Sequence, residues 1–185
     1  MSRTEKKSSS STTPLNTIVS GGQTGVDRAA LDAAIAVGIK SAGWCPQGRR
    51  SEDGQIPACY QLKETASRNY TVRTEWNIRD SDGTLIIAMR TLTGGTRLTW
   101  RLAKKLQKPC HVVHLRESAD AELFSDQNPP TDHCSAVVEW IRENRICVLN
   151  VAGPRASSHP EIHAEAQQLI TEVLQRLMDT QNQNS

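Results

Sequence analysis

Short apolar segments alternate along the chain with longer segments in which apolar residues recur every three or four positions. The short segments have the length of β-strands, and the longer ones have the periodicity of amphipathic helices. Strands are predicted at 17–20, 40–45, 70–73, 84–88, 110–115 and 146–151. Helices are predicted at 26–37, 96–106, 132–143 and 159–178, with one or two helical turns at 74–80.

Two of the predicted strands, 85–88 and 111–115, are apolar on both faces. Such strands are typical of parallel sheets that helices cover on both sides. Because the crossovers between parallel strands are right-handed, all carboxyl ends lie at one edge, where open α/β sheets bind ligands. The sequence therefore predicts an α/β fold with a mostly parallel sheet of about six strands flanked by helices.

The chain has 185 residues, of which 37% are hydrophobic and 23% are charged, with a net charge of +2. This length and composition predict one domain at 15–178. The Ser/Thr/Lys-rich segment 1–14 and the Asn/Gln-rich segment 179–185 are predicted to be disordered tails. No apolar stretch has the character of a signal peptide or a membrane span, so we expect a cytoplasmic protein. The small net charge argues against nucleic acid as a partner.

Three glycine-containing segments each follow a predicted strand and precede a predicted helix: the first at 20–25, the second at 93–96 and the third at 151–158. Glycine permits close approach of the backbone to a ligand, and a helix N-terminus offers N–H groups to an anion. A plain structural turn is the alternative for each segment. The candidate binding residues in them are Gly21, Gly22, Gln23, Thr24, Gly25, Gly94, Gly95, Thr96, Gly153 and Arg155.

Further candidates lie outside the glycine segments. Arg28, in the first turn of the first predicted helix, is placed to reach an anion. The long loop at 43–57 contains Arg49 and Arg50, which we expect beside the first glycine segment, and Trp44, which suits stacking on a flat heterocycle. A solvated charge pair and ordinary packing of Trp44 are the alternatives.

Metal and nucleophilic catalysis receive little support from the sequence. His159 and His163 are four residues apart on a predicted helix, but no further ligand set accompanies them. The five cysteines include no C-x-x-C pair, which predicts reduced thiols. No arrangement of serine, histidine and aspartate is recognisable. We therefore predict neither a metal site nor catalytic residues.

The motifs together resemble those of the family known as putative molybdenum carrier proteins. They span about 18–158 and are specific jointly, although each alone is weak. The family belongs to a Rossmann-like superfamily with LOG-type phosphoribohydrolases and DprA-like proteins, so the resemblance implies a Rossmann-like three-layer sandwich. The matching motifs are SGGQTGVDRAALD at 20–32, GWCPQGRRSEDG at 43–54, RTEWN at 73–77, DSDGTLI at 80–86, GGT at 94–96 and NVAGPR at 150–155.

The resemblance implies a carrier that binds molybdenum cofactor, which is molybdopterin with or without molybdenum, and protects and delivers it without turnover. On that basis 21–25 and 94–96 form a phosphate cradle, Arg49, Arg50 and Arg155 supply positive charge, and Trp44 covers the pterin. It also implies a homo-oligomer, a dimer or tetramer. Molybdenum enzymes or cofactor-biosynthesis proteins are the implied partners, and a membrane is not.

An alternative function is hydrolysis of the N-glycosidic bond of nucleoside monophosphates, as in LOG-type relatives. Those enzymes follow the second glycine segment with a glutamate that assists departure of the base, whereas here Arg97 stands after Thr96. Loss of such an acid removes a contribution of roughly 10²–10⁴ in rate. Glu75 or Asp82 would have to supply the carboxylate. A nucleotide-sensing module is a third possibility with the same pocket.

Overall fold

The computed structural model describes residues 15–115 and 132–182. Its centre is a sheet of five parallel strands in the order β2-β1-β9-β7-β8. These are β1 (Thr17–Val19), β2 (Lys40–Ala42), β7 (Gly83–Ala88), β8 (Cys110–His114) and β9 (Val148–Ala152). Two small ribbons lie outside it: β3 (Trp44–Cys45) with β6 (Lys63–Glu64), and β4 (Arg50–Ser51) with β5 (Gly54–Gln55).

Helices cover both faces of the sheet. They are α1 (Val26–Ala36), α2 (Tyr70–Arg79), α3 (Gly94–Lys105), α4 (His133–Glu143) and α5 (Ile162–Asn182). The main core joins apolar residues of β1, β7 and β9 to α1, α4 and α5, while α2 and α3 form a second cluster around Ile78, Leu102 and Ala103. The predicted Rossmann-like three-layer α/β sandwich is confirmed.

The predicted strand at 70–73 is wrong, because these residues form the first turn of α2. Tyr70, Thr71 and Val72 favour strands by intrinsic propensity, but the side chain of Asn69 accepts a hydrogen bond from the Thr71 N–H and caps a helix instead. The segment predicted at 40–45 is divided between β2 and β3. The central sheet consequently has five strands rather than about six.

The closing helix differs from the prediction at both ends. It begins at Ile162, after a turn in which the N–H groups of Ser158 and His159 donate to the carbonyl of Arg155. It continues to Asn182, beyond the predicted domain end at 178. Residues 179–182 of the disordered tail predicted at 179–185 are therefore helical, while 183–185 and the predicted tail at 1–14 lie outside the described residues. In the described part of the chain, no helix combines the length and the apolar character that crossing a membrane requires.

The strand order brings the three glycine segments together. β9 lies between β1 and β7, and all three strands run in the same direction. The first, second and third glycine segments follow β1, β7 and β9, respectively, so they leave neighbouring strands at one edge of the sheet. That edge is where the geometry of a parallel sheet places a ligand.

Candidate functional site

The first and third glycine segments are in direct contact. The Val26 N–H donates to the Pro154 carbonyl over 3.2 Å, and the Ala156 N–H donates to Thr24 Oγ1 over 3.2 Å. Gly25 has φ +75°, and a Cβ at this position would lie 2.4 Å from the Pro154 oxygen. Only glycine fits both this backbone conformation and this close approach. Gly25 and Thr24 therefore hold two loops against each other.

The carboxylate of Glu52 adds a second connection between these loops. It accepts hydrogen bonds from the Thr24 hydroxyl and from both the backbone and the side chain of Ser157. The Glu52 N–H in turn donates to Gln23 Oε1 over 2.9 Å. Glu52 lies in the turn between β4 and β5, so the long loop at 43–57 is fixed at the rim of the first and third segments.

A cavity of about 630 Å³ lies at this edge of the sheet. We call it the loop cavity; it is bordered by the first and third glycine segments, the start of α2 and the loop from β7 into α3. A Cβ added at Gly94 or Gly95 would meet no atom within 4 Å, so the space beside the first turn of α3 is open. Six predicted binding residues line it: Gln23, Gly94, Gly95, Thr96, Gly153 and Arg155.

The first turn of α3 has the properties of an anion site. Its N-cap residue, Thr93, makes no side-chain capping hydrogen bond. The first N–H groups of a helix have no intrahelical acceptor, and the helix dipole adds positive potential there. Arg155 is exposed at the border of the cavity, and its guanidinium lies 5.7 Å from the centre of the Tyr70 ring.

Arg28 is engaged away from the loop cavity. Its Nη1 and Nη2 atoms lie 2.5 and 2.8 Å from the carboxylate oxygens of Asp53, and its Nε donates to the Gly22 carbonyl over 3.2 Å. The hydrogen bonds from Arg28 and Ser51 hold the pKa of Asp53 at about 2, below its usual value. Arg28 thus joins the β4–β5 turn to the first glycine segment.

Arg49, Arg50 and Trp44 also lie outside the lining of the loop cavity. Arg50 is exposed on β4. The Trp44 Nε1–H donates to Asp80 over 2.8 Å, and its ring packs edge-on against Trp76 at 4.7 Å between centroids. The Arg49 guanidinium donates to the carbonyl groups of Ile56, Pro57, Tyr60 and Leu62, and so ties the long loop to the segment that follows it.

The remaining first-segment candidates, Gly21, Gly22, Thr24 and Gly25, do not line the cavity either. Gly21 matters through a neighbour: a Cβ there would lie 1.7 Å from Arg73 Nη1, so the guanidinium of Arg73 rests directly on the glycine. Gly22 has φ +73°, and a Cβ at this position would lie 2.5 Å from Leu62 Cδ1 and 3.2 Å from Ile56. The first segment therefore serves mainly to fix the loops, and it presents Gln23 to the cavity.

Asp27 and Arg73, which were not among the predicted site residues, line the loop cavity together. Arg73 Nη1 lies 3.2 Å from Asp27 Oδ2, and the Asp27 side chain is only 5% exposed. Burial raises the pKa of the Asp27 carboxyl above its usual value, although the charge of Arg73 opposes the shift. The RTEWN motif did contain Arg73, but a strand prediction at 70–73 gave no reason to orient that residue towards the glycine segments.

Two buried donors at the cavity have no acceptor among the described residues: Gln23 Nε2 and Arg73 Nε. The Gln23 amide is held in one orientation, because its Oε1 accepts from the N–H groups of Thr24 and Glu52 at 3.0 and 2.9 Å. Buried donors without partners are rare in folded proteins. Each of these two atoms has almost no solvent-accessible surface, so neither is presented to the cavity.

The charge of the loop cavity is positive. Arg73, Arg90 and Arg155 contribute to its lining, and Asp27 is the only carboxylate there among the described residues. Glu75 is exposed on α2 outside the lining. Asp82 accepts hydrogen bonds from the N–H groups of Cys147 and Val148 at the start of β9, at the opposite edge of the sheet. Within 15–115 and 132–182, no three metal-ligating side chains are grouped to hold a metal ion.

Comparison with known proteins identifies the family and supports the fold. Residues 18–174 match the model of the circularly permutated YpsA SLOG family. A crystal structure from Syntrophus aciditrophicus SB, named "Putative molybdenum carrier protein", is 42% identical in sequence. The similarity covers 87% of this chain and 96% of that one, with a TM-score of 0.75. No curated protein matches the chain significantly.

Proposed function

Because this chain belongs to the circularly permuted YpsA SLOG family, we propose that it is a carrier that binds molybdenum cofactor in the loop cavity, protects it and delivers it without turnover. The observation that carries the proposal is the open first turn of α3 in a cavity bordered by three arginines. The related crystal structure named as a molybdenum carrier supports the choice of cargo.

The terminal phosphate of the cofactor belongs at the N-terminus of α3 in this proposal. The N–H groups of Gly94, Gly95 and Thr96 lie in the first turn, where no side chain caps them. Since neither glycine has an atom within 4 Å of its Cβ position, a phosphate can approach the backbone closely. Arg155 adds a planar cation that suits phosphate or a molybdenum oxo group.

The rest of the cofactor fits the remaining space. The cavity volume of about 630 Å³ lies within the usual range of small-molecule sites, which is roughly 300–1,000 Å³. Leu92, Leu98 and Pro154 contribute apolar surface to its lining, which suits a flat heterocycle. Transfer to molybdenum enzymes or biosynthesis proteins, assembly into a dimer or tetramer and a cytoplasmic location belong to the proposal through the family resemblance.

The lack of a free carboxylate beside the proposed phosphate site, among the described residues, supports a binding role without turnover. Among the described residues, Asp27 is the only carboxylate that lines the cavity, and it is paired with Arg73. An acid that releases a leaving base must reach that base directly. We therefore favour a carrier over a hydrolase.

One observation keeps the nucleotide N-glycosidase as a second candidate. Burial raises the pKa of Asp27, and a carboxyl group with a raised pKa is suited to act as a general acid. Incubation with nucleoside monophosphates tests this candidate: a carrier releases no free base. Steady base release that the Asp27→Asn variant abolishes would establish the hydrolase and refute the carrier.

The carrier is tested by mixing the protein with molybdenum cofactor and following the oxidative loss of the cofactor. Binding is expected to slow this loss and to raise the melting temperature, since a ligand at 100 times its Kd adds about 2.7 kcal/mol. Arg155→Ala removes a charge and Gly95→Leu fills the open space, and each is expected to reduce the protection at least fivefold.

Arg50→Ala is the matched control, because Arg50 is an exposed arginine outside the cavity lining. It removes the same charge and is expected to leave protection unchanged. Equal protection by wild type, Arg155→Ala and Gly95→Leu would refute the phosphate site. Equal loss in Arg155→Ala and Arg50→Ala would point to general charge rather than to the cavity.

A further inference from the structure

The net positive charge of the chain is concentrated in one short stretch. Residues 89–115 contain no aspartate or glutamate, and they contain six lysines and arginines: Arg90, Arg97, Arg101, Lys104, Lys105 and Lys108. The whole chain has a net charge of only +2, so the residues outside this stretch are net negative. A small overall charge therefore conceals a strongly basic region, and α3 forms its centre.

Four of these cations and one tryptophan lie on the solvent side of α3, and all five residues are exposed: Arg97, Trp100, Arg101, Lys104 and Lys105. The geometry of an α-helix places these positions within about 140° of its circumference. The other side of α3 is buried and carries no charge: Thr96, Thr99, Leu102 and Ala103. We call the five exposed residues the basic face of α3.

The basic face is not neutralised from within the described part of the chain. In residues 15–115 and 132–182, no carboxylate forms an ion pair with any of its four cations. Lys108 differs, because its Nζ donates to the Ser81 carbonyl over 2.7 Å. Like charges one turn apart on a helix, as at Arg97 and Arg101, repel each other and lower stability. Such a cost points to a partner that supplies the opposite charge.

Trp100 indicates the kind of partner. Its side chain is 39% exposed, and it is one of three large apolar side chains that the described residues leave exposed. Tryptophan and arginine are over-represented among the residues that dominate binding between proteins. A nucleic-acid strand stacks on several aromatic side chains, whereas Trp100 is the only aromatic residue of this face. The apolar side of α3 is packed in the core, so the helix cannot insert into a membrane surface.

We propose that the basic face of α3 is the docking surface for an acidic patch on a partner protein, which places carboxylates against the four cations and an apolar side chain against Trp100. Arg97 stands between Thr96 and Leu98, which both line the loop cavity, so a protein docked here lies beside the cavity. A recipient of the cargo is well placed in that position. The docking surface rests on the proposed function only for this purpose, since charge alone defines the face.

The test measures binding of poly-L-glutamate to the full chain by calorimetry at low and at physiological ionic strength. Binding is expected at low ionic strength and is expected to weaken as salt is added, because salt screens exposed charges. Oligothymidylate of the same number of charges and vesicles that contain phosphatidylserine are expected to bind more weakly. A second peptide, in which every fourth glutamate is replaced by leucine, is expected to bind more tightly than poly-L-glutamate. Trp100→Ala is expected to remove that gain.

The informative variant combines Arg101→Glu with Lys104→Glu and reverses two charges in the middle of the face. It is expected to weaken binding of poly-L-glutamate at least tenfold. Its matched control combines Lys40→Glu with Arg145→Glu, which also reverses one lysine and one arginine. Both control residues are exposed, on β2 and after α4, so the net charge changes equally while the face stays intact. The control is expected to change the affinity less than twofold.

A measurement on the wild type covers the case in which a variant fails to fold. Carbodiimide couples lysine amines to carboxylates that are in contact with them. After treatment of the complex with poly-L-glutamate, mass spectrometry is expected to find the cross-links at Lys104 and Lys105. The exposed residues Lys40 and Lys63 are expected to be cross-linked much less.

Each outcome decides between the proposals. Absence of binding to poly-L-glutamate, equal weakening in the two double variants, or cross-links spread evenly over the exposed lysines would overturn the docking surface. Tighter binding of oligothymidylate or of the vesicles would assign the face to nucleic acid or to a membrane and would overturn it as well. Failure to protect molybdenum cofactor, together with binding that depends on the basic face, would refute the carrier function and leave the docking surface standing.

Discussion

The buried pair of Asp27 and Arg73 leads to an asymmetric prediction about stability. Burial raises the pKa of Asp27 even though Arg73 lies 3.2 Å away. A raised pKa means that ionising this carboxyl costs more in the folded than in the unfolded state. Removing the charge with Asp27→Asn is therefore expected to leave the free energy of unfolding at pH 7 within about 1 kcal/mol of the wild type, or to increase it.

Removing the partner has the opposite result. Arg73→Met leaves the Asp27 carboxylate buried, with its side chain only 5% exposed and without its cation. Breaking a buried pair in this way costs roughly 3–5 kcal/mol. Protonation of Asp27 limits that cost, so we expect a loss of about 3 kcal/mol at pH 7. The double variant that combines Asp27→Asn with Arg73→Met is expected to recover most of the loss.

The pH dependence of the free energy of unfolding gives an independent check that folding raises the pKa of Asp27. The folded pKa of Asp27 lies above its ordinary value of 3.8, so its stabilising contribution is complete below that pH and is lost as the pH rises through the folded pKa. Relative to Asp27→Asn, the wild type is therefore expected to become less stable as the pH increases. In Arg73→Met the pKa of Asp27 is expected to be raised further, because the carboxyl no longer faces a cation. The fall in stability with increasing pH therefore extends to higher pH.

Urea unfolding followed by tryptophan fluorescence at several pH values between about 4 and 8 measures these differences. A cost above about 2 kcal/mol for Asp27→Asn at pH 7 would refute the reasoning. So would an Asp27→Asn cost that grows with pH, because that result requires a lowered folded pKa. Equal effects of the two single substitutions would also contradict the predicted asymmetry.

Two further predictions concern the loops around the cavity. Hydrogen bonds from Arg28 hold the pKa of Asp53 at about 2; its contribution is present above the ordinary value of 3.8 and is lost as the pH falls towards 2. Over that interval, Asp53→Asn should therefore lose less stability than the wild type. The difference should be under about 1 kcal/mol, because the pair is partly exposed. Parallel acid-unfolding curves of the two proteins would contradict this expectation. Gly25→Ala should lower the free energy of unfolding by about 3 kcal/mol, because its Cβ would clash with Pro154. In the control Gly38→Ala, which has a similar φ but open space, the cost should be about 1 kcal/mol. Equal melting temperatures of the two variants would refute the close contact.

Most of the fold follows from periodicity, because β1, β7 and β9 are buried segments between helices of regular amphipathic pattern. The error at 70–73 arose where β-branched and aromatic residues begin a helix. There a single cap at Asn69 and the burial of Thr74 and Ile78 on one face outweigh intrinsic strand propensity. Such a choice depends on tertiary contacts that a short sequence window does not contain.

The site was predicted less completely than the fold, and the arginines explain why. Residue type identifies Arg28, Arg49 and Arg155 equally well as anion binders. Only the three-dimensional structure reveals that Arg28 is paired with Asp53, that Arg49 donates to loop carbonyls and that Arg155 borders the cavity. Residues that bind a loop to itself and residues that bind a ligand have the same chemistry, so their roles separate only in three dimensions.

The glycine segments perform two distinct tasks: they fasten the loops to each other, and they contribute residues to the lining of the cavity. Thr24 and Gly25 join the first loop to the third, and Glu52 fastens both to the long loop. This arrangement leaves Gln23 as the member of the first segment that meets the cavity. Motifs that build the rim can be retained in proteins whose ligands differ, whereas the groups that contact the ligand are few.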